Sequence, residues 1–507
     1  MAACLYDHFA RRAPSPGKVF IETPEGRKVT YGDLAAGSAR IANVLADRGV
    51  VAGDRVAVQV DKSPDAILLY LACLRAGAVF LPLNTAYTPA EIEYFLGDAR
   101  PRVFVCEPQN RDKLQAVAMG AGVSHVETLG VREDGSLLEA ARAAPEIFED
   151  VVRGPDDLAA ILYTSGTTGR SKGAMLSHDN LASNALTLAD YWRFTQDDVL
   201  IHALPIYHTH GLFVAMNTML LAGGSMFFLP KLDPDLMLQL MGRGATAMMG
   251  VPTFYTRLLQ HPGLTREATK NMRLFVSGSA PLLAETHREW TQRTGHAILE
   301  RYGMTETNMN TSNPYEGDRV PGAVGFPLPG ISVRITNPET AAILPQGEIG
   351  MIEVKGPNVF KGYWNMPEKT AAEFRSDGFF ITGDLGKIDS RGYVSIVGRD
   401  KDLVITGGFN VYPIEVETEI DALPSVIESA VVGVPHPDFG EGVTALIVAR
   451  KGADIGERQV IAALETRLAK FKLPKRVFFV DELPRNAMGK VQKAAIRATY
   501  SDLYKKS

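Results

Sequence analysis

The chain has 507 residues, 46% of them apolar and 22% charged, with a formal net charge of −5. That length exceeds what a single core supports and implies at least two domains. The acidic balance disfavours a nucleic-acid binder, whose surface needs a basic excess. Three cysteines, Cys4, Cys73 and Cys106, cannot build a disulfide framework and fit a reducing, cytoplasmic setting. The opening MAACLYDHFARRAPSP lacks the apolar run of a signal peptide. The apolar stretches 65–83 and 211–230 are broken by Arg75 or by Asn217 and paired glycines, so they read as buried helix-plus-strand pairs, with no membrane partner implied.

In chain order, DRVAVQV (54–60) reads as a strand, and Ser63-Pro64 caps and opens the helix behind it. VFLPL (79–83) is the next strand; Thr88-Pro89 starts another helix before RVFVCE (102–107). The scheme restarts with LAAILYTSG (158–166), a helix near 180–192, strand VLIHALPI (199–206) and a helix ending at Gly223-Gly224. Asp233-Pro234 opens one more helix, and ATAMMGVP and RLFVSGSAP supply further strands. Such alternation predicts two parallel sheets, each covered on both faces. Beyond about residue 320, ISVRITN, GEIGMIEVKG and GFFITGDLGKIDSRGYVSIVGRD are short strands joined by Gly and Asp turns, a β-rich element expected to form a small barrel. Helices and strands mix again after Arg399. The expected fold is α/β: a large N-terminal domain, 1–400, of two doubly wound layers plus the β-rich subdomain, and a small mobile α+β domain, 401–507.

The chemistry concentrates in YTSGTTGRSKG (163–173). Its glycines let backbone N–H groups approach an oxyanion, while hydroxyls and Lys172 add donors and charge. The Gly-x4-Gly-Lys-Ser/Thr spacing of a Walker A loop is absent, which disfavours a P-loop kinase or GTPase.

This stretch resembles the phosphate loop of the acyl-adenylate-forming superfamily, which contains acyl-CoA synthetases and peptide-synthetase adenylation domains. SGSAP (277–281), ERYGMTET (300–307), TGDLG (382–386), GRDKDLVITGGFNVYPIEVE (398–417) and PRNAMGKVQK (484–493) match further segments of that family in order. The resemblance implies ATP, Mg2+ and CoA as the small-molecule partners. Thr164, Ser165, Gly166, Thr167, Thr168, Gly169 and Lys172 would contact phosphates. Gly278, Ser279, Ala280, Tyr302 and Gly303 would form the adenine pocket, with Tyr302 stacked on the base. Asp384 and Arg399 would hold the ribose, Thr305 the α-phosphate and Glu306 the magnesium ion. Lys490 would be the adenylation lysine, with Lys401 as hinge and Gly407-Gly408 beside the CoA arm. In related synthetases this lysine is reversibly acetylated, which implies an acetyltransferase and a deacetylase as partners acting on Lys490.

The acid is a separate question. YHTHGLF (207–213), GVPTFYTRLL (250–259) and MTETNMNTS (304–312) should line the acyl pocket, and they are rich in His208, Thr209, His210, Arg257, Thr307, Asn308, Asn310 and Thr311. An apolar acid gains nothing from such a lining, whereas a second carboxylate needs a cation. Arg257, about one turn beyond Thr253, is the candidate, with Arg273 and Arg301 as rivals. These stretches closely resemble bacterial malonyl-CoA synthetases, which implies malonate as substrate and methylmalonate as a further one. His208 would sit near the reacting carboxylate, and Thr209 and Met309 would border C2. The alternative is another small acid: acetate, propionate or an aryl acid. The short segment after Lys490 leaves no room for a carrier domain, which disfavours a peptide-synthetase module.

Overall fold

The computed structural model describes residues 4–164, 171–407, 409–486 and 489–504. Two large sheets dominate the first part of the chain. A six-stranded sheet runs in the spatial order His125–Thr128, Val103–Cys106, Arg55–Gln59, Val79–Pro82, Leu158–Thr164, Lys172–Ser177. A nine-stranded sheet has a parallel centre made of Leu299–Met304, Leu274–Ser277, Ala247–Gly250, Val199–His202, Ser225–Phe228 and Val19–Glu22. The two expected layers are therefore present, but both carry antiparallel margins: Lys28–Thr30 and Asn308–Ser312 on the larger sheet, Lys172–Ser177 on the smaller.

Helix Pro64–Arg75 explains how the layers join. All of its residues are buried, so it has no polar face to offer water. Ser63 accepts the amide of Ala66 and Pro64 occupies the first turn, as the sequence implies. Asp65 is tolerated inside because Arg27 grips it through two bonds of 2.7 and 2.9 Å. Caps at Thr88 and Asp233 start other helices, and a left-handed Gly223 ends one, where sequence placed them.

The β-rich element is an open antiparallel meander, not a barrel: Ser332–Thr336, Gly350–Lys355, Phe380–Ile388 and Val394–Arg399 pair in sequence order, with an isolated bridge from Val394 to Gly325 at the edge. Its short turns favour nearest-neighbour pairing, and the described residues supply no strand to close it. The smaller C-terminal unit has a five-stranded sheet centred on Val426–His436 and Gly440–Ala449. Helices Pro413–Asp421, Glu457–Glu465 and Lys493–Thr499 accompany it, and two apolar clusters of its own fill its interior.

Candidate active site

Asp384 and Arg399 stand opposite each other on neighbouring antiparallel strands. That register places Arg399 Nε 3.0 Å from Asp384 Oδ1. Tyr302, at the end of a strand of the larger sheet, donates its hydroxyl to Asp384 Oδ2 across 2.6 Å. Both carboxylate oxygens are thus held, each with a lone-pair direction left over for a hydroxyl of a ligand. Asp384 is 5% exposed, so its charge acts in a low-dielectric setting.

The SGSAP segment leaves the C-terminal end of strand Leu274–Ser277, where parallel sheets place ligands. Ser279 adopts a left-handed backbone, φ 71°, and its hydroxyl lies 3.2 Å from His210 Nδ1. Gly303 has an internal reason to be glycine: a Cβ there would stand 1.8 Å from the carbonyl oxygen of Asn308. Thr305 lies in the partly exposed turn between the antiparallel strands Leu299–Met304 and Asn308–Ser312.

The segment expected to bind phosphate joins two antiparallel strands, with Thr164 opposite Lys172 across its base. Ser165, Gly166, Thr167, Thr168 and Gly169 lie outside the described residues. Lys172 Nζ is 3.3 Å from Glu373 Oε1 and 4.1 Å from the ring centroid of Tyr363. The Tyr363 hydroxyl approaches Glu373 Oε2 at 2.6 Å and Glu306 Oε1 at 3.0 Å. Burial holds the Glu306 carboxyl above its ordinary value. Sequence reading missed Tyr363 and Glu373. GYWNMPEKTAAEF reads as turn plus solvated helix end, and no residue type in it signals a partner on Lys172.

Lys490 belongs to a hairpin tip tied by Lys490 N–H to Asn486 Oδ1 at 3.0 Å and Asn486 N–H to Lys490 O at 3.0 Å. The tip docks on Thr253, whose side-chain atoms would lie 3.4 Å from a Cβ on the left-handed Gly489. Desolvation, reinforced by Arg399, holds the Lys490 ammonium below its ordinary value, while Asp384, Asp402 and Glu306 oppose the shift. Those neighbours put Lys490 near Asp384, Arg399 and Glu306, the residues expected to meet the nucleotide. Lys401, in the short turn Asp400–Asp402, is pushed down to about 8 by desolvation and by nearby Arg399. Gly407 is left-handed, φ 58°, and donates to Phe439 O at 2.8 Å; Gly408 lies outside the described residues.

On the acyl side, burial pushes the His208 imidazole down to about 4, so it is neutral at physiological pH. Thr209 is buried, with its hydroxyl unpartnered among the described residues. Met309 is buried too, and Asn184 clamps its backbone at 2.8 and 3.2 Å. Part of the polarity expected in the acyl lining serves the fold instead. Asn310 accepts from Asn358 at 3.0 Å, and Thr311 donates to Val324 O at 2.8 Å. Asn310 Nδ2, Thr307 Oγ1 and Asn308 Oδ1 remain buried without a hydrogen-bond partner among the described residues.

The three arginines separate cleanly. Arg273 is committed to Asp198 through bonds of 2.6 and 2.8 Å. Arg257 is exposed on helix Pro252–Leu259 and lines a cavity of about 490 Å³ with Lys62, Tyr207, Thr253, Arg485 and Gly489. Arg301 is 3% exposed, and its Nε and Nη2 find no hydrogen-bond partner among the described residues. Burial pushes its guanidinium down to about 9.

Comparison with known proteins agrees with this geometry. The AMP-binding enzyme family matches residues 7–364, and the AMP-binding enzyme C-terminal domain matches 415–490. A feruloyl-CoA synthase from Amycolatopsis sp is 36% identical over 94% of this chain and 94% of its own. A malonate–CoA ligase from Arabidopsis thaliana is 33% identical over 96% of this chain and 87% of its own. The crystal structure of ATP-bound MatB from Rhodopseudomonas palustris is 68% identical over the full length of both chains, with a TM-score of 0.98. Its apo form scores 0.86. The order of motifs, the Asp384–Arg399–Tyr302 grip and these full-length matches converge: the chain belongs to the AMP-binding enzyme family, as an acyl-CoA ligase.

Proposed function

We propose that this ligase joins malonate, and also methylmalonate, to CoA with conversion of ATP to AMP and pyrophosphate. Arg301 carries the reading. A buried guanidinium with unpaired nitrogens costs several kcal/mol unless an anion meets it. A monocarboxylic acid spends its only carboxylate on the α-phosphate, whereas a diacid brings a second one. Arg257, at the cavity beside the lysine hairpin, adds positive potential on the same side of the nucleotide site. The malonate–CoA ligase of Arabidopsis thaliana supports the same choice.

In this reading one carboxylate attacks the α-phosphorus, aided by Lys490, Thr305 and the donors of the phosphate loop with Lys172, which stabilise charge as pyrophosphate departs. Asp384, Arg399 and Tyr302 fix the nucleoside. No cluster of three metal-ligating side chains occurs among the described residues. One buried carboxylate, Glu306, fits magnesium, which takes few protein ligands beside phosphate oxygens. When bound, that ion supplies charge neutralisation on the phosphates. Neutral His208 orients the reacting carboxylate, and Thr209 and Met309 border C2. The thiol of CoA then attacks the acyl carbon and AMP leaves. Rotation of residues 401–507 about Lys401 withdraws Lys490 and brings Gly407-Gly408 to the CoA arm.

The test is thiol-dependent AMP release with malonate, methylmalonate, acetate, butyrate and ferulate. Malonate should exceed the monocarboxylic acids by at least tenfold in kcat/KM, about 1.4 kcal/mol. The resemblance to a feruloyl-CoA synthase makes ferulate the sharpest competitor. Preference for ferulate or butyrate would reject the dicarboxylate reading and leave the ligase chemistry intact.

A further inference from the structure

The hairpin bearing Lys490 is gripped at both ends by one acidic patch of the C-terminal unit. On its leading side, Arg485 pairs with Glu428 of strand Val426–His436 and donates to Gly489 O at 2.5 Å. On its trailing side, Lys493, the first residue of helix Lys493–Thr499, donates to Glu417 Oε1 at 2.6 Å. Glu417 sits on helix Pro413–Asp421, is buried, and accepts the Val431 amide at 2.7 Å through the same oxygen. Within the hairpin, Arg485 bridges to Val491 and the Gln492 amide donates to Pro484 O at 2.8 Å. Beside the hairpin, Gly489 faces Thr253 of the larger domain.

We propose that Glu417 and Glu428 are positioning residues for adenylation: through Lys493 and Arg485 they hold the hairpin so that the Lys490 ammonium reaches the nucleotide site. The inference rests on the reading of Lys490 as the adenylation lysine. The physical reason is leverage. A long side chain on a short hairpin delivers its charge to one point only if the hairpin's two legs are fixed, and a displacement near 1 Å can cost about a hundredfold in rate. Glu417 is the stronger grip, because its carboxylate is buried and also anchors strand Val426–His436. Glu428 and Arg485 are more exposed, and screening weakens that pair. Glu417 and Glu428 bond to the legs of the hairpin, so a selective effect on adenylation would pass through the hairpin that carries Lys490.

The experiment compares two half-reactions in full-length Glu417→Gln, Glu428→Gln, the double variant and Lys490→Ala. Acid-dependent pyrophosphate exchange reads adenylation; thioester formation from supplied malonyl-AMP and CoA reads the second step. Glutamine keeps the acceptor for Val431 while removing the charge. Adenylation kcat should fall about ten- to a hundredfold in the double variant, with the KM for ATP within about twofold and thioester formation near wild type. Unchanged adenylation in the double variant would overturn the proposal. Equal losses in both steps would also overturn it, because they would mark general damage to the C-terminal unit. If Lys490→Ala itself keeps adenylation, the reading of Lys490 fails first; if Lys490→Ala is dead and the double variant is not, only the positioning role fails.

Discussion

Gly278 and Arg301 are packed so closely that a Cβ on the glycine would stand 2.4 Å from the guanidinium carbon. The tight turn of the SGSAP segment thus roofs the one buried arginine of the three, whose Nε and Nη2 have no partner among the described residues. Arg301→Leu should lower malonate kcat/KM about a hundredfold or more while leaving ATP binding within a few-fold. Arg301→Lys should recover little, since an ammonium lacks the planar fork. Gly278→Ala should give a smaller loss of the same kind by displacing the guanidinium. Steady-state kinetics with ATP and malonate varied separately checks this; equal losses for both substrates would rule it out.

Tyr302→Phe removes the 2.6 Å bond to Asp384 without changing the ring. It should weaken ATP binding by about 1 kcal/mol, near fivefold. Asp384→Asn should cost more, about tenfold to a hundredfold, because it also leaves Arg399 without its anion. Calorimetric titration with ATP in the absence of acid measures both.

His208 becomes cationic only as pH falls through about 4. Adenylation at saturating malonate should therefore show no acid limb from His208 near the ordinary imidazole value. His208→Gln should lower the plateau without changing its shape. A limb near 6.5 that vanishes in the variant would show that the protonated imidazole takes part.

Asp421, one helical turn beyond Glu417, is pushed up to about 8 by burial, with Glu417 and Glu428 adding to the shift. The folded chain thus keeps a proton that the unfolded chain releases near the ordinary aspartate value of about 4. Stability from this site is full below that value and drains away as pH rises toward 8. Asp421→Asn should raise the melting temperature at pH 8 by roughly 2–5 °C and have little effect at pH 4.5, as scanning calorimetry would show.

Much of the fold was legible because its signals are local. Ser63-Pro64, Thr88-Pro89 and Asp233-Pro234 cap helices whatever surrounds them, since the bonds they make span three residues. Alternation of apolar strands and helices likewise reveals parallel layers. The antiparallel margins and the open meander escaped, because the partner a strand takes is set by neighbours distant in sequence.

The family, and with it the expected nucleotide chemistry, was legible in sequence alone: a glycine-rich stretch suited to an oxyanion, a lysine near the C-terminus, and acidic residues at fixed places in ordered motifs. Only the folded chain decided which charges are already spent. Arg273 meets Asp198 from 75 residues away, and Lys172 meets Glu373 from 201, while two nitrogens of Arg301 find no partner among the described residues. Residue type announces a charge; whether that charge is neutralised depends on which distant side chain tertiary packing brings within about 3 Å, where burial raises the cost of leaving it alone.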